Sequence, residues 1–479
     1  MQHKLKGGLL ILFVLFFVSS CITNPATHRK ELNLLPPSAE VSLGSSENKK
    51  IIKEIGVYRY DGLNDYIRSV GKRLLKYVQE KRFSYSFNIL DSYDVNAFSI
   101  PGGYVYLTRG ILAYIDNEAQ LACVLGHELG HINAHHGAVM MTRQMLFNLG
   151  LGVAASSSKK LRKIVPFVAI GGNLLFLSFS RDQEYQADYL GVEYATLAGY
   201  DAMEMARLFE KLKRIEHRGG VLGEFLSTHP SFPHREEKIA EFAKHWRAIA
   251  KRPYYIVGDN RYLRHIDGIL FGKDKRYGYV DGGWYFHPLM RFRFRIPHGF
   301  KLIDRRNFIV IFPPNSGGVY IRVSLSGMGI TALVDRFLRN GKVIKSRWLT
   351  IGGFRAYEAY KLTNSGSLVV EGLYAIDFRG RRVVFLTRCP YNKFAAFRGA
   401  LRVPALSFGY LSDPRRIHIK NSYIKIVRVR RDSTFSGFLD RFGVEKDLRK
   451  TIYLINGSSP QTRLKRGQLV KIIVKHFAN

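Results

Sequence analysis

The chain has 479 residues, 46% hydrophobic and 23% charged, a globular composition that excludes a disordered chain, a collagen-like fibre and a coiled coil. Three cysteines exclude a disulfide scaffold. Its 74 Lys+Arg against 38 Asp+Glu leave +36, and the excess is uneven: residues 1–250 hold 30 basic and 24 acidic side chains, residues 251–479 hold 44 and 14.

At the N-terminus, Lys4 and Lys6 precede ten unbroken apolar residues, Leu9 to Val18. That run is too short for a bilayer core, which takes about 20 residues, but it suits a signal-peptide core. Val18-Ser19-Ser20-Cys21 resembles the bacterial lipobox. The resemblance implies a lipoprotein signal peptide over 1–20, cleavage before Cys21 and a diacylglyceryl group on its sulfur. Ile22, in place of Asp, is compatible with outer-membrane sorting within that resemblance. An ordinary secretory signal with an incidental cysteine is the alternative. Both readings export the chain, so no nucleic acid is expected as a partner. Cys123 and Cys389 read as buried free thiols. Residues 21–50 are polar, with Pro36-Pro37 and a Gly-Ser stretch, and read as a tether.

Residues 51–250 read as helices around a small sheet. Leu63, Ile67, Val70, Leu74 and Val78 recur at helical spacing within Asp61 to Glu80. Tyr85–Leu90 and Val95–Ile100 are short strand candidates, and Gly102-Gly103 leads into Tyr104-Val105-Tyr106-Leu107. Asn117 with Gln120 three residues on has capping-box spacing and opens a helix through about His136.

That helix carries His127-Glu128-Leu129-Gly130-His131. Positions i and i+4 lie about 40° apart around a helix axis, so both imidazoles project from one face and can hold one metal ion. Glu128 flanks that face, where a carboxylate can act as general base toward a water activated by the metal. Two helical histidines can equally be surface or core residues. A second capping-box spacing, Ser180 with Gln183, starts another helix with Glu184 in its first turn and Asp188 one turn on. Glu184 is then a candidate third ligand and Asp188 a group that orients a ligating imidazole. A solvated acidic face is the alternative for such a pair.

Taken together, Asn117-Glu118 through His136, the string Phe179 to Asp188 (FSRDQEYQAD) and Leu197-Ala198-Gly199-Tyr200-Asp201 resemble the gluzincin metallopeptidases of the HtpX and CAAX-prenyl-protease type, and within them the soluble, BepA-like periplasmic branch. The resemblance covers roughly residues 40–250. It implies one zinc ion per chain ligated by His127, His131 and Glu184, with Glu128 as general base and Asp188 as a second catalytic carboxylate that orients a ligating imidazole. Leu226-Ser227-Thr228-His229-Pro230, followed by Arg235, is similar to the branch's loop whose histidine occupies the open metal position and holds the enzyme inactive. A surface-loop histidine is the alternative. Arg235 is expected near the ligands, whereas His135 and His136 read as residues that touch the ligands from behind or face solvent. Ala97, Phe98, Gly102 and Gly103 resemble the strand bordering the substrate cleft, where an extended peptide pairs through its backbone; an interior strand is the alternative. Met140 to Leu177, apolar and broken by Lys159-Lys160 and Arg162-Lys163, reads as a lid over the cleft rather than a membrane hairpin.

Beyond Lys251-Arg252-Pro253 the pattern turns strand-rich. Strands are expected at 291–296, 308–312, 319–325, 354–361, 368–376 and 382–388, with helices near 331–339 and 391–402, giving an antiparallel α+β domain over 254–412. Residues 417–479 resemble a degenerate LysM-type module, with Arg431 where that family has Gly before Asp. The fold class expected is α+β: a mainly helical zincin-type peptidase domain with a small sheet over 51–250, then the basic domain, then the LysM-like module. The function expected is a zinc metalloendopeptidase anchored in the bacterial envelope, facing the periplasm from the outer membrane. It acts on unfolded or misassembled proteins, with peptidoglycan or anionic lipid as partners of residues 251–479. The alternative is an assembly chaperone or cell-wall-binding scaffold with a structural zinc.

Overall fold

The computed structural model describes residues 21–157, 179–217, 222–230, 233–305, 308–314, 317–364 and 366–477. The expected signal peptide lies outside them, as does the expected lid beyond Ser157. The chain divides into two compact units, Met1–Gly272 with Ser422–Val474, and Lys273–Asn421 with Lys475–Asn479.

In the first unit, the motif helix Glu118–Asn133 lies against the helix Arg181–Leu197 at a crossing made of small residues. A Cβ on Gly126 would stand 2.9 Å from Gly191 O, one on Gly130 2.9 Å from Ala187 O, and one on Gly191 2.7 Å from His127 N. Hydrogen at these positions lets the two backbones approach closely enough for short side chains to meet across them. The helices Leu63–Leu74, Met203–His217 and Arg235–Ala250 complete the helical core, the first through Leu63, Ile67, Val70 and Leu74 as its periodicity requires. A three-stranded sheet has the order Ser86–Leu90, Tyr104–Thr108, Ala97–Ile100. Its first pair is parallel and its second antiparallel, which leaves Ala97–Ile100 on an edge. The motif helix stops earlier than its sequence suggests: His135 takes φ 53°, and a new helix begins at His136.

Two long-range features depart from the sequence expectations. The stretch expected as a tether is folded onto the core: Cys21–Thr23 pairs with Lys30–Leu32, and Pro37–Glu54 is a helix with proline in its first turn. Gly44, read as a flexible residue, is a packing contact, since a Cβ there would stand 1.9 Å from Pro101 O. The C-terminal stretch returns to the peptidase helices. Strand Lys420–Arg428, helices Phe435–Arg441 and Lys446–Ile455 and strand Leu469–Phe477 place Phe435, Leu439, Ile452 and Ile472 in one hydrophobic core with Leu208 and Leu212. Beneath that contact, Lys211 Nζ donates to Tyr114 O, Ile455 O and Asp116 Oδ1, and Lys471 Nζ to Ala113 O, Ile115 O and the same Asp116 oxygen.

The second unit holds a seven-stranded antiparallel sheet, Lys301–Arg305 at one edge and Lys342–Ile351 at the other. Helix Tyr391–Leu406 packs on one face with Phe385 and Tyr374, and helix Ile330–Leu338 on the opposite face with Leu373 and Ala375. A four-stranded sheet around Trp284–His287 and Phe292–Arg295 joins the first of these cores. Every strand and helix expected in 291–402 is present. The strand Lys342–Ile351 was not legible, because an exposed edge strand rich in Lys and Arg shows no alternation.

Candidate metal centre

Two local sequence signals place the inner groups. Asn117 Oδ1 accepts the Gln120 N–H at 2.8 Å and starts the motif helix; Ser180 and Gln183 form a complete capping box that starts the second. On the first helix, His127 Nε2 and His131 Nε2 stand 3.1 Å apart. From the second, Glu184 Oε1 comes within 3.4 Å of His131 Nε2, and its Oε2 within 3.6 Å of His127 Nε2. His229, just past the helix Gly223–Thr228, brings Nδ1 to 3.0 Å from Glu184 Oε1 and 3.3 Å from His127 Nε2. One ligand atom from each of the four residues lies within 4.8 Å of all the others, and all four residues are buried.

Ligands about 2.0–2.1 Å from a tetrahedral zinc are separated from each other by about 3.3 Å. The separations here fall around that value, and the donor set of three imidazoles and a carboxylate is one that zinc takes. His229 Nε2 is 3.1 Å from Ala97 O, an atom that can only accept, so the proton sits on Nε2 and the Nδ1 lone pair faces the centre. The residues fit the ion.

Peptidase family M48 matches residues 62–243, which contain the four converging residues. Residues 62–243 are a peptidase family M48 domain. The chain is similar to the mitochondrial metalloendopeptidase OMA1 of Arabidopsis thaliana, at 30% identity over 43% of this chain and 44% of the relative. Its similarity to the OMA1 of Schizosaccharomyces pombe is 29% over 46% and 65%. For the beta-barrel assembly-enhancing protease of Escherichia coli K12 it is 31% over 35% and 36%. The chain thus spans between about a third and two thirds of the length of these relatives.

Around its centre the M48 domain holds a buried charge network. Asp188 Oδ1 is 2.9 Å from His127 Nδ1, and Arg235 donates to Asp188 through Nε at 2.7 Å and Nη2 at 2.8 Å. The same guanidinium lies 2.7 Å from Glu184 Oε2. Burial works to raise the Glu184 and Asp188 carboxyls, but His229 and Arg235 beside the first, and Arg235 beside the second, hold both below the usual carboxylate range. Burial opposes charge on His229, yet without an ion the flanking Glu184 and Glu128 carboxylates outweigh it and raise its pKa to about 9, so Nδ1 offers its lone pair only when a metal ion takes the place of its proton. Burial pushes His131 well below its ordinary value and takes His136 down to about 4.

Glu128 faces the edge strand. Ser99 Oγ donates to Glu128 Oε2 at 2.9 Å, while Glu128 Oε1 is 3.5 Å from His229 Nε2. Of the residues expected to border the cleft, Ala97 meets His229, and Phe98 stacks on Tyr106. Gly102 and Gly103 form a buried turn with φ 86° and 97° against Glu40 and Ser84. His135 does not approach the metal position: it lies between Glu40 Oε1 at 2.9 Å and Glu80 Oε2 at 3.3 Å. Sequence reasoning missed Ser99 as a partner of Glu128, Phe179 as a ring stacked on His131 at 3.9 Å, and Gln186 as a partner of His136. Each lay inside a string that carried a signal, Phe179 and Gln186 in the one around Glu184 and Ser99 in the strand that begins at Ala97. Among the described residues, no helix is long and apolar enough to cross a membrane.

Proposed function

We propose that the chain is a zinc-dependent metalloendopeptidase of the bacterial cell envelope that hydrolyses misfolded or misassembled periplasmic and outer-membrane proteins. The observation that carries the reading is Glu128. This carboxylate is buried beside the converging ligands, oriented by Ser99 and aimed between His229 and the edge strand, where a purely structural metal site has no use for it. In this reading His127, His131 and Glu184 hold the ion, and His229 fills the fourth corner until substrate replaces it. A zinc ion bound there supplies Lewis-acid polarisation of a peptide carbonyl and of water. Glu128 takes the proton as water adds to the carbonyl and delivers it to the leaving amine. Ala97–Ile100 pairs with the substrate backbone, which selects extended, unfolded chains rather than a sequence. Asp188 orients His127, and Arg235 fixes Asp188 and Glu184.

The envelope location is supported by the signal-like N-terminus with Cys21 as the lipid-bearing residue, and by similarity to a protease named for β-barrel assembly. For residues 417–479 the LysM-like reading is supported by the strand–helix–helix–strand order; Arg431 bears on glycan binding more than on fold. The basic excess of 251–479 is proposed to press the enzyme against peptidoglycan or anionic lipid in a salt-sensitive way.

A second reading is favoured by one observation. Four protein ligands close the site, as in structural zinc centres, which suits an assembly chaperone or scaffold. The purified chain should carry one zinc and degrade casein in a chelator-sensitive way. Glu128→Gln should keep the zinc and lower cleavage by about 10²–10⁴-fold. Cleavage unchanged in that variant sinks the enzyme assignment. Stoichiometric zinc without cleavage, in the native chain and in His229→Ala alike, selects the scaffold.

A further inference from the structure

A chain of hydrogen bonds runs from the N-terminal hairpin to the metal position, and its direction can be worked out atom by atom. Asn24 is fully buried between the strands Cys21–Thr23 and Lys30–Leu32. Its Oδ1 accepts the backbone N–H of Ala26 at 2.9 Å and of Thr27 at 3.4 Å. A backbone N–H only donates, so the amide can point one way alone. Asn24 Nδ2 therefore donates to Glu31 Oε1 at 2.8 Å and to Gln186 Oε1 at 2.7 Å. Gln186 Oε1 also lies 2.9 Å from His136 Nε2, which must then carry its proton. A neutral imidazole has one N–H, so His136 Nδ1 is an acceptor. It lies 2.9 Å from His131 Nδ1, which must carry the proton in turn. His131 Nε2 is left with a bare lone pair, and that atom faces His127 Nε2 and Glu184.

We infer that Asn24, Gln186 and His136 are positioning residues that set the metal-binding tautomer of His131, starting from the backbone amides of Ala26 and Thr27. The inference rests on the metal reading above. The tautomer of a metal-binding histidine is set by the partner of its other nitrogen. At His127 that partner is a carboxylate, whose acceptor role is inherent. At His131 it is another imidazole, which could donate or accept, so the polarity must be imposed from further away. The amide of Gln186 could turn as well; Asn24 is the first group whose orientation a backbone donor decides. The N-terminal hairpin is thereby part of the metal centre although none of its residues is a ligand.

The test uses the full chain in three measurements: zinc affinity by chelator competition, the His131 tautomer by ¹⁵N NMR of histidine-labelled metal-free protein, and thermal melting. Asn24→Asp keeps the acceptor for Ala26 and Thr27 but has no N–H; Glu31→Gln is made with it to remove carboxylate repulsion. Gln186 must then turn its NH₂ toward Asn24→Asp and His136, which inverts every later link and puts the His131 proton on Nε2. The expected result is that inverted tautomer with a zinc affinity about 10–100-fold lower. Gln186→Glu accepts from both neighbours and should keep the native tautomer and affinity, whereas Gln186→Leu should lose the tautomer preference with a similar loss of affinity. A proton still on His131 Nδ1 in Asn24→Asp/Glu31→Gln and in Gln186→Leu, with native zinc affinity in both, overturns the proposal. A native chain that takes up no zinc defeats the metal reading instead, and the tautomer spectra still judge the relay.

Discussion

His229 donates from Nε2 to the carbonyl oxygen of Ala97 across 3.1 Å. In the proposed reading one side chain therefore blocks two things a substrate needs: the fourth corner of the metal centre and a hydrogen-bond acceptor on the edge strand. On that reading an incoming peptide displaces both contacts at once. His229→Ala should retain zinc on three ligands and raise cleavage of an unfolded substrate by roughly 5–10-fold, as expected for releasing about one hydrogen bond's worth of competition. A rate equal to or below that of the native chain would argue against a closed resting state.

Asp188 accepts from Arg235 and faces His127 Nδ1, so Asp188→Asn weakens a charge pair in a place water does not reach. A loss of about 1–3 kcal/mol in stability and about 10–100-fold in zinc affinity should follow. Chemical denaturation and chelator competition measure the two separately. Unchanged zinc affinity would reduce Asp188 to a purely structural partner of Arg235.

The helix crossing that delivers Glu184 to the histidines depends on Gly191. A Cβ there meets His127 N at 2.7 Å and Gly126 C at 3.0 Å, so Gly191→Ala should separate the helices, cost roughly 1–3 kcal/mol and weaken zinc binding. Gly399→Ala is the control: it lies in the helix Tyr391–Leu406 with nothing within 4 Å of a new Cβ, and should stabilise by about 0.4–1 kcal/mol. Equal melting shifts for the two would contradict the close-approach argument.

Burial lowers the Lys211 ammonium to about 7 against the pull of Asp116, and Lys471 on the same carboxylate adds to the lowering. In the unfolded chain a lysine titrates near ~10.4. Between about pH 7 and 10 the unfolded state thus binds more protons, and stability should rise with pH across that window by up to a few kcal/mol. Below pH 7 Lys211 is charged in both states, and its contribution is flat. Lys471→Met removes the repulsion, raises the Lys211 pKa and should flatten the slope even as it lowers stability overall. Denaturation curves at pH 7 and 9.5 decide it; parallel slopes in the two proteins would refute the coupling.

Local chemistry was readable from residues alone. The i, i+4 pair of histidines, the side-chain caps that start the two metal helices, the one-turn offset of Asp188 from Glu184 and the alternation of Phe292 and Phe294 with arginines each depend on neighbours a few positions away. The same reasoning failed where a residue's role is set by something distant. Gly44 suggests flexibility until Pro101 lies against it, and Asn24 is one more polar residue until Gln186 stands 2.7 Å away, 162 positions on. The return of Ser422–Val474 to the peptidase helices is another case, since Lys211 and Lys471 look like two ordinary surface charges in a basic chain.

By itself the sequence determined which side chains could serve a metal and on which helices they ride, because spacing along a helix is a local property. Tertiary structure alone decided that Ser99 orients Glu128, that His229 rests on Ala97 and that an N-terminal hairpin reaches the tautomer of His131. Those contacts join segments from 29 to 162 positions apart, brought together by the burial of separate apolar faces rather than by any pattern within one of them.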